Sequence, residues 1–209
     1  MRKILLTGGS GLLGKELQKN ESLLNGEVDA PTHKEFDIVT DKLLVTYDLI
    51  IHAAAYTNLI KAEEEKLNCY LTNVIGTKRL ASSGIPIVYI STEYSAHPVN
   101  YYSETKKEGE DVIKFFSSSY LIIRTLFKPR PFPHPQACVD QWTQGDYVDI
   151  IAPLIIERIN LYEDKLLNNL VYIGTERKTT YELAQRTRPD VLPCLVEDIK
   201  TIQLPKDYQ

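Results

Sequence analysis

A doubly wound α/β fold built on a parallel sheet is what this sequence predicts, and three observations predict it. Short apolar runs recur along the 209 residues, each bounded by Gly, Pro or polar residues. Longer segments with apolar residues at helical spacing lie between them. The first run also feeds directly into a glycine-rich turn that opens a helix. Composition permits the core this needs: 43% apolar and 25% charged residues exclude a mainly disordered chain and suffice for one domain, or one domain with a small lobe.

The strands follow in order. Lys3 to Thr7, Glu27 to Ala30, Asp48 to Ala55, Pro86 to Ser91, Tyr120 to Thr125 and Leu170 to Gly174 each read as a strand buried on both faces. The helical segments carry one apolar face each. Leu67, Leu71, Val74 and Ala81 form the first, Gly109, Val112, Ile113 and Phe116 the second, and Val148, Ile151, Ala152, Ile155 and Ile159 the third. Pro153 falls inside the last stripe and predicts a helix that is kinked or starts late. Two segments break the alternation and are where substrate contacts are expected. Residues 127–135 hold Pro129, Pro131, Pro133 and Pro135, an extended, stiff loop, and the tail from Arg177 onward offers one helix, Thr180 to Arg186, and then mostly loop.

Charge and cysteine content narrow the function classes. Net charge is −4, with 24 Lys+Arg and 28 Asp+Glu mixed along the chain, which argues against a nucleic-acid-binding surface. Cys69, Cys138 and Cys194 are widely spaced without a CxxC or a nearby His pair, so neither a disulfide framework nor a zinc site is expected, and a reducing cytoplasm fits best. The apolar start at Ile4 to Leu6 stops at Thr7-Gly8-Gly9, too short for a signal peptide, and no apolar run approaches the roughly 20 residues of a membrane span.

After the first strand come Thr7-Gly8-Gly9-Ser10-Gly11-Leu12-Leu13-Gly14 and the helix opening Lys15-Glu16-Leu17. Glycine serves such a turn because the chain bends tightly and presents backbone N–H groups to a pyrophosphate, while the helix N-terminus favours the negative charge. An ordinary strand-turn-helix joint is the bland alternative; the strand before and helix after favour a nucleotide. The spacing, GxxGxxG, is one residue wider than the dehydrogenase fingerprint.

Further motifs follow: Phe36-Asp37-Ile38-Val39-Thr40-Asp41, Ile51-His52-Ala53-Ala54-Ala55-Tyr56-Thr57, Ala62-Glu63-Glu64-Glu65, Asn73-Val74-Ile75-Gly76-Thr77, Tyr89-Ile90-Ser91-Thr92-Glu93-Tyr94 and Asn100-Tyr101-Tyr102-Ser103-Glu104-Thr105-Lys106. In that order the series resembles the extended short-chain dehydrogenase/reductases, and within them the dTDP-4-dehydrorhamnose reductase group, well over residues 1–125 and more loosely over 146–190. The resemblance implies a Rossmann-type doubly wound sheet with a small C-terminal substrate lobe. It implies an NADP(H)-binding domain over residues 1–125 and 146–175, and reduced substrate-binding segments over 126–145 and 176–209.

For the cofactor, the resemblance implies that Gly8, Gly11 and Gly14, with Ser10, Leu12 and Leu13, line the pyrophosphate. Asp37 and Ile38 would meet the adenine, and Ala53, Ala54 and Ala55 would flank the cofactor at the third strand. Small side chains at a strand's C-terminal end also leave physical room for a ligand at a switch point. An acidic residue ending the second strand would hold the ribose of NAD, whereas a cation there would accept the 2′-phosphate of NADP. Asp29 reads as mid-strand and the end as Thr32-His33-Lys34, where related reductases often carry arginine. The expectation is therefore NADP(H), met by His33 and Lys34, with NAD(H) possible.

Tyr102 and Lys106 stand four apart at the start of a helix and so project from one face. Tyrosine is a weak acid at pH 7 unless an ammonium stabilises its phenolate, and Lys106 is expected to do so. By resemblance Lys106 also holds the nicotinamide ribose, Thr92 orients the substrate carbonyl, and Asn73 supports the lysine through water. The implied reaction is reduction of the 4-keto group of a nucleotide-linked deoxysugar with Tyr102 as proton donor. A surface Tyr–Lys pair is the bland reading of YxxxK. Tyr101 is the rival tyrosine, but the residue four after it is Thr105.

The chain also departs from the group: only Ser95 to Tyr101 separate Tyr94 from Tyr102, and the prolines of 127–135 replace a helix. Arg130, His134 and Trp142 lie in that unusual region, where Arg130 could meet a phosphate and Trp142 a base or sugar, though surface charge and core filler explain them as well. Two other functions are carried forward. One is an epimerase or dehydratase of the same superfamily, since Glu93 follows Thr92; the other is a non-catalytic NADP-binding regulatory subunit. A homodimer through Leu59 to Ala81 and Tyr102 to Phe116 is expected by analogy alone. His52 and His97 carry no assignment, a histidine beside a strand being more often structural.

Overall fold

The computed structural model describes residues 2–43, 46–162 and 168–207. Six strands form its central sheet: β1 (Lys3–Thr7), β2 (Glu27–Asp29), β3 (Leu49–His52), β4 (Ile87–Thr92), β5 (Tyr120–Thr125) and, late in the chain, Asn169–Tyr172. Every neighbouring pair in it is parallel. From one edge the order is Asn169–Tyr172, β5, β4, β3, β1, β2. The chain starts at β1, moves outward to β2 and then returns to β3 on the other side, so the direction of winding reverses between β1 and β3. In open parallel sheets ligands sit at the carboxyl ends of the strands at such a reversal.

Period-two alternation splits the sheet's apolar residues between two layers. Ile4, Leu6, Ile51, Val88, Leu121 and Ile123 face one cluster, together with Leu13 and Leu17 of α1 (Leu12–Lys19). Leu5, Ile50, Ile87, Tyr89 and Ile122 face the other. The second face is covered by α2 (Leu59–Glu64), α3 (Lys66–Tyr70), a wide π-helical turn (Leu71–Gly76), α4 (Thr77–Ala81) and α5 (Tyr101–Phe116).

One long helix is not what residues 59–81 form. The π-helical turn inserts an extra residue, rotating everything before it relative to everything after. Leu67 therefore points to solvent, 69% exposed, while Cys69, Asn73, Val74, Gly76, Leu80 and Ala81 are buried. The expected stripe beginning at Leu67 is thus displaced by that insertion.

Beyond β5 the chain makes β6 (Phe127–Lys128), β7 (Gln136–Cys138), β8 (Trp142–Thr143), β9 (Asp146–Tyr147), α6 (Val148–Asn160), β10 (Asn169–Tyr172, the sheet's edge strand), β11 (Lys178–Thr179), α7 (Thr180–Gln185) and β12 (Leu192–Cys194). Of the two outcomes expected at Pro153, a kink or a late start, the late start is not found: α6 begins five residues before Pro153 and runs through it. As the sixth residue, Pro153 forfeits only the bond to the Asp149 carbonyl. Ile151, Ala152, Ile155 and Ile159 are all buried in the first cluster, and about 1.5–3 kcal/mol per large apolar side chain outweighs that loss. The pairs β6–β9, β7–β12 and β8–β11 form a smaller unit around Phe132, Tyr147, Leu183 and Val191. No helix among the described residues is long and apolar enough to cross a membrane.

Candidate active site

Of the four glycines in the turn, Gly8, Gly9 and Gly14 are packed from inside and Gly11 is left open. Gly8 has φ +77, and a Cβ there would stand 2.5 Å from the Ala54 backbone nitrogen at the end of β3. A Cβ on Gly14 would lie 2.2 Å from the Gly8 carbonyl oxygen, so helix α1 and the turn can pack only as glycines. Gly11, by contrast, is exposed, and its Cβ would meet only the Gly8 oxygen, at 3.1 Å. No internal packing demands glycine there; a ligand approaching the backbone would. Gly11 is also the N-cap of α1 and gives it no side-chain cap, leaving first-turn N–H groups for an anion. Gln18, which the sequence did not single out, braces the turn by donating to the Gly9 oxygen at 2.7 Å and the Gly14 oxygen at 3.0 Å. The residues present fit a bound dinucleotide pyrophosphate.

A cleft of about 180 Å³ opens beside this turn at the carboxyl edge of the sheet, and Leu13, Ala53, Ala55, Thr92, Tyr102 and Lys106 all line it. Tyr102 enters it because α5 is fixed in register at its first turn: Asn100 caps the Ser103 N–H at 2.9 Å, and Ser103 caps the Asn100 N–H in return. Tyr101, the rival, is instead bound at the outer surface, its N–H on Glu63 and Lys66 over its ring.

Protonation differs from what the sequence led us to expect. Burial, with Tyr94 nearby, pushes the Tyr102 phenol well above its ordinary value, against the Thr92 hydroxyl. The Lys106 Nζ donates to the Ile90 carbonyl at 2.8 Å and rests 4.0 Å from the Tyr89 ring centre. Burial pulls Lys106 down to about 7, against the attraction of Glu110. The protein thus offers a neutral phenol that holds its proton at pH 7, next to an amine poised to change charge there.

Asn73 lies behind the cleft in the π-helical turn. Its side chain accepts from the Tyr56 N–H at 2.8 Å and donates to Thr105 Oγ1 at 3.0 Å, tying the loop after β3 to α5. Its carbonyl accepts from Thr77 Oγ1 at 2.7 Å. The single Thr77 hydroxyl proton is thereby used, so His52 Nε2, 3.0 Å away, must be the donor to Thr77. His52 Nδ1 is then bare and accepts from Thr7 Oγ1 at 2.8 Å. His52, left unassigned by sequence, is therefore a buried neutral bridge from β1 through β3 to α4.

The other predicted residues are placed as follows. Ser10 and Leu12 are exposed on the turn, and Ala54 abuts Gly8. Asp37 accepts from the Val39 N–H at 2.8 Å, closing its own turn, and Ile38 is buried against Gly76. β2 ends at Asp29, not at 32–34, so Asp29 is terminal rather than mid-strand, while His33 and Lys34 sit in an exposed turn braced by Glu35. The Asp29 carboxylate accepts from Tyr47 Oη at 2.5 Å. β1 runs two residues past Leu5, the partner of Asp29, so the pairing stops short of Pro31, which has no N–H to give a ladder. Glu93 is buried outside the cleft, bonded by Thr143 Oγ1 at 2.7 Å. Arg130 pairs with Asp149 and covers the Tyr147 ring, His134 packs edge-on to Phe132, and Trp142 lies under Arg177. No group of three or more potential metal ligands occurs among the described residues.

The family model described as RmlD substrate binding domain matches residues 1–127. A dTDP-4-dehydrorhamnose reductase of Aggregatibacter actinomycetemcomitans is 31% identical over 175 residues, covering 70% of this chain and 53% of that protein. The spore coat polysaccharide biosynthesis protein SpsK of Bacillus subtilis is 31% identical over 150 residues, covering 60% and 53%. The chain thus spans about half the length of these curated relatives. Among solved structures, a dTDP-4-dehydrorhamnose reductase of Clostridium acetobutylicum superposes with TM-score 0.82 at 25% identity, covering 98% of this chain and 88% of the other. One from Bacillus anthracis, in complex with NADP, shares the fold with TM-score 0.79 at 24% identity, covering 98% and 87%.

Proposed function

This chain belongs to the RmlD substrate binding domain family, and on that premise we propose that it is an NADP(H)-dependent reductase of the 4-keto group of a nucleotide-linked deoxysugar. The observation that carries the reading is the convergence of Thr92, Tyr102 and Lys106 on one cleft beside an open glycine turn. Residues 1–125 and 146–175 would hold the cofactor, and 126–145 and 176–209 the sugar nucleotide. Gly8, Gly11 and Gly14 with the first turn of α1 hold the pyrophosphate, and Ala53 and Ala55 leave space for the nicotinamide. When bound, that cofactor supplies a hydride to the ketone carbon. Tyr102 Oη gives its proton to the ketone oxygen, Thr92 donates a hydrogen bond to the same oxygen, and protonated Lys106 stabilises the phenolate left behind. Asn73 keeps Lys106's helix fixed against the loop after β3. Glu93 is bonded by Thr143 and is not among the residues lining the cleft with Tyr102, which weighs against a dehydratase.

The test is NADPH oxidation, followed spectroscopically with a panel of nucleotide-linked 4-keto-6-deoxysugars, after NADPH binding has been shown. Turnover of at least one such sugar is expected. A protein that binds NADPH and turns over none would overturn the reading.

Asp29 bears on cofactor choice. A carboxylate at this strand end repels a 2′-phosphate, but the Tyr47 hydroxyl occupies one of its oxygens and weakens its hold on a ribose hydroxyl. Asp29→Asn is expected to improve NADPH affinity about fivefold with NADH little changed, the size of one solvent-screened charge contact near 4 Å. Titration of both dinucleotides checks this; an unchanged ratio of dissociation constants would remove Asp29 from the selection.

A further inference from the structure

Cys138 and Cys194 are 56 positions apart in the sequence, yet β7 and β12 pair in parallel with these two residues directly opposite each other. Side chains of directly paired residues leave the sheet on the same side, from backbones about 4.8 Å apart. That spacing lies inside the roughly 4.4–6.8 Å between Cα atoms that a disulfide requires. The Sγ atoms already touch at 3.4 Å, and the thiols are free. The register is secured on both sides, by Leu192 N–H to the Pro135 oxygen at 2.9 Å and Val139 N–H to the Cys194 oxygen at 3.0 Å. We propose that Cys138 and Cys194 form a redox-active dithiol, which low-molecular-weight disulfides such as oxidised glutathione convert to an intramolecular disulfide.

The two thiols have different parts in that exchange. Cys194 is half-exposed and Cys138 is buried, so the Cys194 thiolate attacks the incoming disulfide, forming a mixed disulfide and expelling one glutathione thiolate. Cys138, deprotonated, then attacks the Cys194 sulfur, forming the internal S–S bond and expelling the second glutathione thiolate. The two protons lost by the cysteines go to the two thiolates released; the protein is oxidised by two electrons and the glutathione disulfide reduced by the same two. Burial holds the Cys138 thiol up to about 12, which makes the second step slow near neutrality and faster as pH rises.

The bond would anchor the root of the segment that follows β12. That segment returns to the start of α5. The Gln203 oxygen accepts from Asn100 Nδ2 at 2.9 Å, at the cap of the helix bearing Tyr102, and the Lys206 oxygen accepts from the Trp142 N–H at 2.8 Å. Leu204 packs on the Tyr94–Leu126 pair, as Tyr102 does. Oxidation thus fastens the segment that packs on Tyr94 and Leu126, two residues lining the cleft, to the smaller unit. The dithiol rests on strand register and stands whether or not the chain is a reductase.

The protein is fully reduced, freed of reductant and incubated with oxidised glutathione, and its thiols are counted after denaturation. The count is expected to fall from three to one, with a non-reduced peptide map joining Cys138 to Cys194. Cys69, buried and bonded to Thr105 and Asn73, remains as the surviving thiol. The melting midpoint is expected to rise by about 5 °C or more, because a long loop is closed, and to return on adding dithiothreitol. Cys138→Ser is expected to stop at a stable glutathione adduct on Cys194, which shows the order of attack without requiring the disulfide for folding. A wild type that keeps three thiols, or that ends as a Cys194 adduct with no cross-link, would overturn the proposal.

Discussion

Tyr102→Phe is expected to lower turnover by roughly 10² to 10⁴ while leaving NADPH binding within about twofold of wild type. The phenol sits in the cleft with its proton held on by burial, the state a donor to a ketone oxygen needs. Phenylalanine keeps the ring and its packing on the Tyr94–Leu126 pair and removes only the transferable proton. Lys106 sets the accompanying pH dependence. Its amine, pulled down to about 7 by burial, is charged below that pH and neutral above it, and only the charged form stabilises the developing phenolate. kcat/KM is therefore expected to decline as pH rises past about 7, and a bound pyrophosphate, being negative, would move that limb upward. An unchanged rate in the phenylalanine variant, with the cofactor bound, would remove Tyr102 from the chemistry.

The parts legible in the sequence are those whose cause is local. β1 and β5 begin and end where their apolar runs do, because both faces are buried and a turn residue or a change of polarity marks the ends. The glycine turn and the four-residue spacing of Tyr102 and Lys106 are likewise properties of a few consecutive residues. What was hidden depends on partners distant in sequence. β2 is an exception: its pairing stops at Asp29, opposite Leu5, and Pro31, which has no N–H for a ladder, is a local sign against a strand running on to Lys34. The π-helical turn at Leu71–Gly76 has no compositional signature, since one extra residue per turn leaves ordinary residues in place. Strands of three residues such as β7 and β12 are too short to show alternation, so the Cys138–Cys194 pairing could not be read. Protonation was hidden most completely. The same Tyr102–Lys106 spacing is compatible with a lowered or a raised phenol, and burial, a tertiary property, decides it.

His52 is expected to make folding sensitive to mild acid. Its imidazole is wholly buried between two hydroxyls, and burial, with the Lys106 charge nearby, lowers its pKa from 6.5 to about 3. The bonding pattern allows no second proton, because Nδ1 is the acceptor for the Thr7 hydroxyl. The unfolded chain, whose histidine titrates near 6.5, binds that proton first as pH falls. Between pH 6.5 and 3 the unfolded state therefore holds more protons than the folded one, and stability is lost as pH drops, about tenfold in the folding equilibrium constant per pH unit. Above 6.5 both states are neutral and the contribution is fully present; below 3 no more is lost. His52→Gln separates this from the titration of surface carboxylates such as Glu176, which the Arg186 side chain holds down to about 2. Glutamine can still bridge Thr7 and Thr77 but carries no titrating proton. The variant is expected to be less stable than wild type at pH 7, having lost the ring's packing on Tyr89, and the gap should close by about tenfold in equilibrium constant for each unit below pH 6. Denaturant melts of both proteins at pH 7, 5.5 and 4.5 measure this, and a gap independent of pH would mean that His52 titrates in the folded protein as it does in the unfolded chain.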